Sequence, residues 1–181
     1  MSLADQLTVV RAVAVPFVVV LFTWHFPDHA YWATAAFIAA MTTDQLDGWL
    51  ARRSSRTSEL GSLLDPIADK LLTLSTLVVL IGEGVVPAWM VSLVVVRELL
   101  VSGLRLAALE RGIVLRARDL GKLKAWVQSV AAAIGGFAAA GAWSSRVAWW
   151  ALLAALVLTW VSGVDYARVA PSVLRGRALA S

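Results

Sequence analysis

Six stretches of this chain are apolar over about twenty residues each, the length a helix needs to cross a bilayer. They run roughly from Leu7 to Trp24, Tyr31 to Ala51, Ser58 to Ile81, Pro87 to Leu109, Leu120 to Gly141 and Val147 to Tyr166. A segment of this length in hydrocarbon satisfies its own backbone hydrogen bonds as a helix. The expected fold class is therefore all-α: one polytopic membrane domain over residues 1–181 with six transmembrane helices. Composition agrees. The chain is 60% hydrophobic with a mean hydropathy of +0.77, far from a water-soluble average. It has no cysteine, so disulfides and thiolate metal sites are excluded. No cleavable signal peptide stands out, because Arg11 interrupts the first apolar run.

Basic residues orient the segments. With both termini cytoplasmic, Arg52, Arg53, Arg56, Arg105, Arg111, Arg116, Arg118, Lys122, Lys124, Arg168, Arg175 and Arg177 all fall inside. Arg146 is the exception, and the short outer loops hold His25, Asp28, His29 and Glu83. The net charge of +4 then reflects topology and anionic head groups rather than nucleic acid. The expected location is the cytoplasmic membrane, multi-pass. Tryptophans near segment ends, such as Trp24, Trp89 and Trp143, suit an interfacial belt.

Against this apolar background stand four carboxylates. Asp44 and Asp47 are spaced i, i+3; Asp65 and Asp69 are spaced i, i+4. Each pair therefore shares one helix face. Four acids in a membrane are untenable without cations to neutralise them. Oxygen ligands with no His or Cys nearby favour hard ions such as Mg²⁺ or Mn²⁺. Two such ions bridged by carboxylates are a device for phosphoryl transfer. Gly48 and Ala51 leave room beside the acids, and Arg52 could bind a phosphate. Ser58 could cap the third segment. With the termini inside, Asp44 lies about 12 Å deeper than Arg52, so the acids sit in the cytoplasmic half of the membrane. The bland alternative is a helix pair joined by salt bridges, Asp44 or Asp69 with Arg52 or Lys70.

The pattern D-x-x-D-G-x-x-A-R-x8-G-x-x-x-D-x-x-x-D, complete from Asp44 to Asp69, resembles the signature of the CDP-alcohol phosphatidyltransferase family. The resemblance covers nearly the whole chain. It implies a six-helix membrane enzyme, usually a homodimer, facing the cytoplasm and embedded among membrane lipids. It implies two divalent ions, Mg²⁺ or Mn²⁺, held by Asp44, Asp47, Asp65 and Asp69. It implies that Asp47, Gly48, Ala51, Arg52, Ser58 and Gly61 line the CDP-linked lipid, and that Asp69 is the general base for the acceptor hydroxyl.

A second constellation bears on the acceptor. Arg97-Glu98 opens R-E-x-x-V-S-G-x-R, which ends at Arg105, and Lys122 begins G-K-x-K-x-x-x-Q after Gly121. Arg97 lies in an apolar run and needs an anionic partner there. Glu98, Asp65 or Asp69 could supply it within the fold; a bound phosphate could supply it from outside. These patterns are similar to the phosphatidylglycerophosphate synthase branch. That implies transfer of a phosphatidyl group from CDP-diacylglycerol to sn-glycerol 3-phosphate, yielding phosphatidylglycerol phosphate and CMP. Arg97, Arg105 and Lys122 would hold the acceptor phosphate. Other acceptors would make the chain a cardiolipin synthase or a phosphatidylinositol phosphate synthase. A divalent-cation transporter could also use membrane aspartates, but it would carry charges through the full depth, and the outer half here is nearly free of them. Gly135-Gly136 could pack helices within the chain or between two copies.

Overall fold

The computed structural model describes the backbone of residues 3–51, 59–110 and 119–174, and side chains over 13–43, 70–108, 110 and 123–164. The described residues form six helices: α1 (Leu3–Thr23), α2 (His29–Ala51), α3 (Glu59–Gly82), α4 (Ala88–Glu110), α5 (Asp119–Ala139) and α6 (Ser145–Leu174). No strand occurs among the described residues, which make an all-helical fold. Each helix coincides with one of the apolar stretches. Among the described residues, Ser145–Val164 of α6 is long and apolar enough to cross a membrane on length and composition alone. Shorter apolar stretches lie at Val13–Thr23, Lys70–Gly82 and Leu123–Ala139.

The helices pack as two groups. α1 lies against α2 and α3, and α6 lies against α4 and α5. The groups meet where α5 packs on α2 and α3 and where α3 packs on α4. The core is Phe22 and Val18 of α1, Phe37 and Ala33 of α2, Leu72, Leu77 and Leu80 of α3, Met90 and Val94 of α4, and Leu152 of α6. Close approach of α5 depends on its two adjacent glycines. A Cβ on Gly135 would lie 2.6 Å from Leu80 Cδ1, and one on Gly136 would lie 2.2 Å from Thr34 Oγ1. The Gly135-Gly136 face thus packs inside the chain, onto α3 and α2.

The outer surface is apolar. Phe17, Trp32, Leu99, Trp126, Trp150 and Val161 are among the large hydrophobic side chains left exposed, spread over α1, α2, α4, α5 and α6. Exposed apolar area on nearly every helix is what a lipid-facing surface presents and what a water-soluble monomer avoids.

Candidate functional site

The placement of α2 and α3 fixes which end of the bundle carries the acids. His29, the first residue of α2, lies with its Nε2 3.7 Å from Glu83 Oε1, just past the end of α3. His29 Nδ1 also meets the Phe26 carbonyl at 3.2 Å. His29 and Glu83, both expected in short outer loops, form a clasp between the α1–α2 and α3–α4 connections. The pair α2 and α3 is antiparallel, so the last two turns of α2 and the first three of α3 share the opposite end. Asp44 and Asp47 are on that part of α2, and Asp65 and Asp69 are on that part of α3. Unbroken helix through all four keeps each pair on one face. The side chains of Asp44, Asp47, Gly48, Ala51, Gly61, Asp65, Asp69 and Lys122 lie outside the described residues, as do Arg52 and Ser58 altogether.

From Lys70, the residue after Asp69, the described side chains form a polar cluster buried at its centre. Its hub is Glu98 of α4, 3% exposed. Glu98 Oε1 accepts from Arg97 Nη1 at 3.0 Å and from Lys124 Nζ of α5. Glu98 Oε2 lies 3.5 Å from Lys70 Nζ of α3, and Lys70 donates to Ser102 Oγ at 2.6 Å. Arg97, 2% exposed, donates through Nη2 to Ser162 Oγ of α6 at 2.7 Å. Ser162 donates in turn to the Thr159 carbonyl at 2.9 Å. One turn along α5 from Lys124, Gln128 donates to Thr159 Oγ1 at 2.7 Å. Four helices thus converge on one carboxylate and one guanidinium.

Sequence reasoning reached part of this. Arg97 is where a membrane arginine must find an anion, and of the three candidates inside the fold the structure supplies Glu98. Arg105, just over two turns further along α4, is half-buried. The parts played by Lys70, Lys124, Gln128 and Ser162 were not foreseen. A signal existed for two of them: Lys124 and Gln128 stand i, i+4 on one face of an otherwise apolar helix. Gly163 leaves space for the guanidinium, since a Cβ there would come 3.3 Å from Arg97 Nε.

An apolar cleft of about 290 Å³ opens between α2 and α5. Phe37, Met41, Thr42, Trp126, Val130 and Phe137 are among the residues that line it.

The sequence matches the model of a family described as CDP-alcohol phosphatidyltransferase over residues 1–161. The chain belongs to the CDP-alcohol phosphatidyltransferase family. Family members similar to it include the CDP-diacylglycerol–glycerol-3-phosphate 3-phosphatidyltransferase of Bacillus subtilis (strain 168). That protein is 45% identical over 95 residues, which are 52% of this chain and 49% of the relative. A protein of Mycobacterium tuberculosis (strain ATCC 25618 / H37Rv) named "Probable phosphatidylglycerophosphate synthase" is 42% identical over 169 residues, 91% of this chain and 79% of its own. The 3-phosphatidyltransferase of Cereibacter sphaeroides is 39% identical over 137 residues, 74% of this chain and 62% of its own. The chain thus spans about half of the Bacillus relative and more than three quarters of the mycobacterial one.

As a CDP-alcohol phosphatidyltransferase, the chain carries the family's acidic motif on two antiparallel helices, at the ends away from the His29–Glu83 contact. The donor set is four carboxylates with no His or Cys in the same stretch. Hard divalent cations fit such a set. Among the residues whose side chains are described, no other group of His, Cys, Asp or Glu could hold a metal.

Proposed function

We propose that this protein is a phosphatidylglycerophosphate synthase, transferring a phosphatidyl group from CDP-diacylglycerol to sn-glycerol 3-phosphate. The observation that carries the reading is the complete aspartate motif at one end of α2 and α3, followed directly by Lys70 of the cationic cluster. The names of its relatives point to the same reaction. The apolar cleft supports a lipid-linked donor, because it lies between α2 and α5 and is walled by hydrocarbon.

In this reading Asp44, Asp47, Asp65 and Asp69 hold two divalent ions, Mg²⁺ or Mn²⁺. When bound, these would neutralise the pyrophosphate and favour departure of CMP. Asp47, Gly48, Ala51, Arg52, Ser58 and Gly61 line the cytidine diphosphate. Arg97, Arg105 and Lys122 take the acceptor phosphate. Asp69 accepts the proton of a glycerol 3-phosphate hydroxyl as that oxygen attacks the lipid-linked phosphorus. One P–O bond forms, the bond to CMP breaks, and the products are phosphatidylglycerol phosphate and CMP.

All six helices cross the cytoplasmic membrane, as one domain over residues 1–181 with both termini and the active site inside. The apolar surface on nearly every helix and the basic connections support this placement. The family resemblance favours a homodimer.

The test is CMP release by purified protein given CDP-diacylglycerol, Mg²⁺ or Mn²⁺, and separate acceptors. Glycerol 3-phosphate should be used, and chelation with EDTA should stop turnover. Asp69→Asn should abolish CMP release while the melting temperature stays within a few degrees of wild type. Full turnover by that variant would remove Asp69 from the role of base.

A further inference from the structure

Glu98 has more partners than neutralising it requires. Lys124 and Arg97 share its Oε1, and Lys70 stands 3.5 Å from its Oε2. One cation would balance the carboxylate. Three leave an excess of two positive charges among the described side chains, in a cluster where Arg97, Glu98 and Lys124 are each less than a tenth exposed. Surplus cations held away from water are costly unless an anion meets them. The excess equals the charge of a phosphate monoester, which carries about −1.5 to −2 near neutral pH. The donors for such a group are in place. A guanidinium has five N–H groups, and the described partners of Arg97, Glu98 and Ser162, take one each. Arg97 Nε is buried with no hydrogen-bond partner among the described residues.

We propose that Glu98 is a positioning residue for the acceptor: its carboxylate gathers cations from α3, α4 and α5 so that their remaining N–H groups meet a phosphate monoester dianion. This rests on the reading of the protein as an enzyme whose acceptor is a phosphate monoester. Glu98 itself does not touch substrate. It acts by holding Arg97 and Lys124 within one hydrogen-bonded unit. Through Lys70, the next residue after Asp69, it also ties α3 to the acceptor side, so the proposed base and the acceptor cations keep a common register.

The experiment compares wild type, Glu98→Gln and Glu98→Asp in full-length protein, with KM measured separately for glycerol 3-phosphate and for CDP-diacylglycerol. Glu98→Gln is expected to raise the acceptor KM at least tenfold and to leave the donor KM within twofold. Glu98→Asp should recover most of that loss. Equal shifts in both constants would overturn the proposal, as would a lowered melting temperature with unchanged KM. A fall in acceptor KM would also overturn it, since the carboxylate would then be competing with the phosphate. If Glu98→Gln does not fold, the double variant E98Q/K124M, which removes one charge of each sign, is compared with K124M alone. A larger rise in acceptor KM in the double variant supports positioning, and equal rises refute it. Wild-type turnover tests the underlying reading separately. If another phosphate monoester is the acceptor used, the named acceptor fails and the same ratio is measured with that compound. If the acceptor is a phosphodiester lipid or an unphosphorylated alcohol, reading and inference fall together.

Discussion

Substituting Gly136 by alanine tests the seam between α5 and α2. The new Cβ would stand 2.2 Å from Thr34 Oγ1, 3.0 Å from its Cγ2 and 3.1 Å from its Cβ. Thr34 cannot yield cheaply. It is 1% exposed, and its Oγ1 donates to the Ala30 carbonyl at 2.6 Å. Overpacking of this kind costs about 1–3 kcal/mol, and giving up the threonine hydrogen bond adds about 0.5–1.5 kcal/mol. Against this, alanine is a better helix residue than glycine by about 0.8–1 kcal/mol. The balance is a destabilisation of about 2 kcal/mol, or roughly 4–8 °C in melting temperature for a chain of this size. Gly103 of α4 is the control, because a Cβ there meets nothing within 4 Å. Gly103→Ala should keep the helical gain and melt at or slightly above wild type. Both are measured by thermal unfolding of purified protein in one detergent, followed by circular dichroism. If Gly136→Ala melts as high as Gly103→Ala, the glycine pair does not face α2, and the packing argued for this seam is wrong.

Two further outcomes follow from the polar contacts. Arg97→Ala should raise the KM for glycerol 3-phosphate far more than that for CDP-diacylglycerol, and Arg97→Lys should not restore it, because an ammonium cannot reach Glu98 and Ser162 with one planar fork; equal effects on the two substrates would argue against an acceptor role. His29→Ala removes a partly exposed contact with Glu83 at 3.7 Å, worth at most about 1 kcal/mol, so it should lower the melting temperature by a few degrees at most and leave CMP release unchanged; loss of activity would connect this clasp to the site.

The helices were legible because twenty apolar residues in a row admit few structures. Their ends were less so. Hydropathy marks where hydrocarbon-compatible sequence stops, not where the backbone stops being helical. α6 was expected to end near Tyr166 and continues to Leu174, and α1 begins at Leu3 rather than Leu7. The aspartate motif was readable because its chemistry is written at short range, on two neighbouring helices. The Glu98 cluster was not, because its contacts join positions 26, 32 and 65 residues apart. Sequence showed that Arg97 needed an anion, but three aspartates or glutamates could have served, and only packing selects among them. The glycine pair posed the same problem, since a small-residue face looks alike whether it meets its own chain or a second copy.

The grouping of α1, α2 and α3 apart from α4, α5 and α6 has a consequence for how such an enzyme can diverge. On the proposed assignment, donor and metal residues lie on the first three helices and the acceptor cations on the last three. A lineage could change its choice of alcohol by drift in the second half while the nucleotide chemistry in the first half stayed untouched. Lys70 is the exception, a residue of the first half whose partners, Ser102 and Glu98, both belong to the second. It marks the point at which the two inheritances would have to change together.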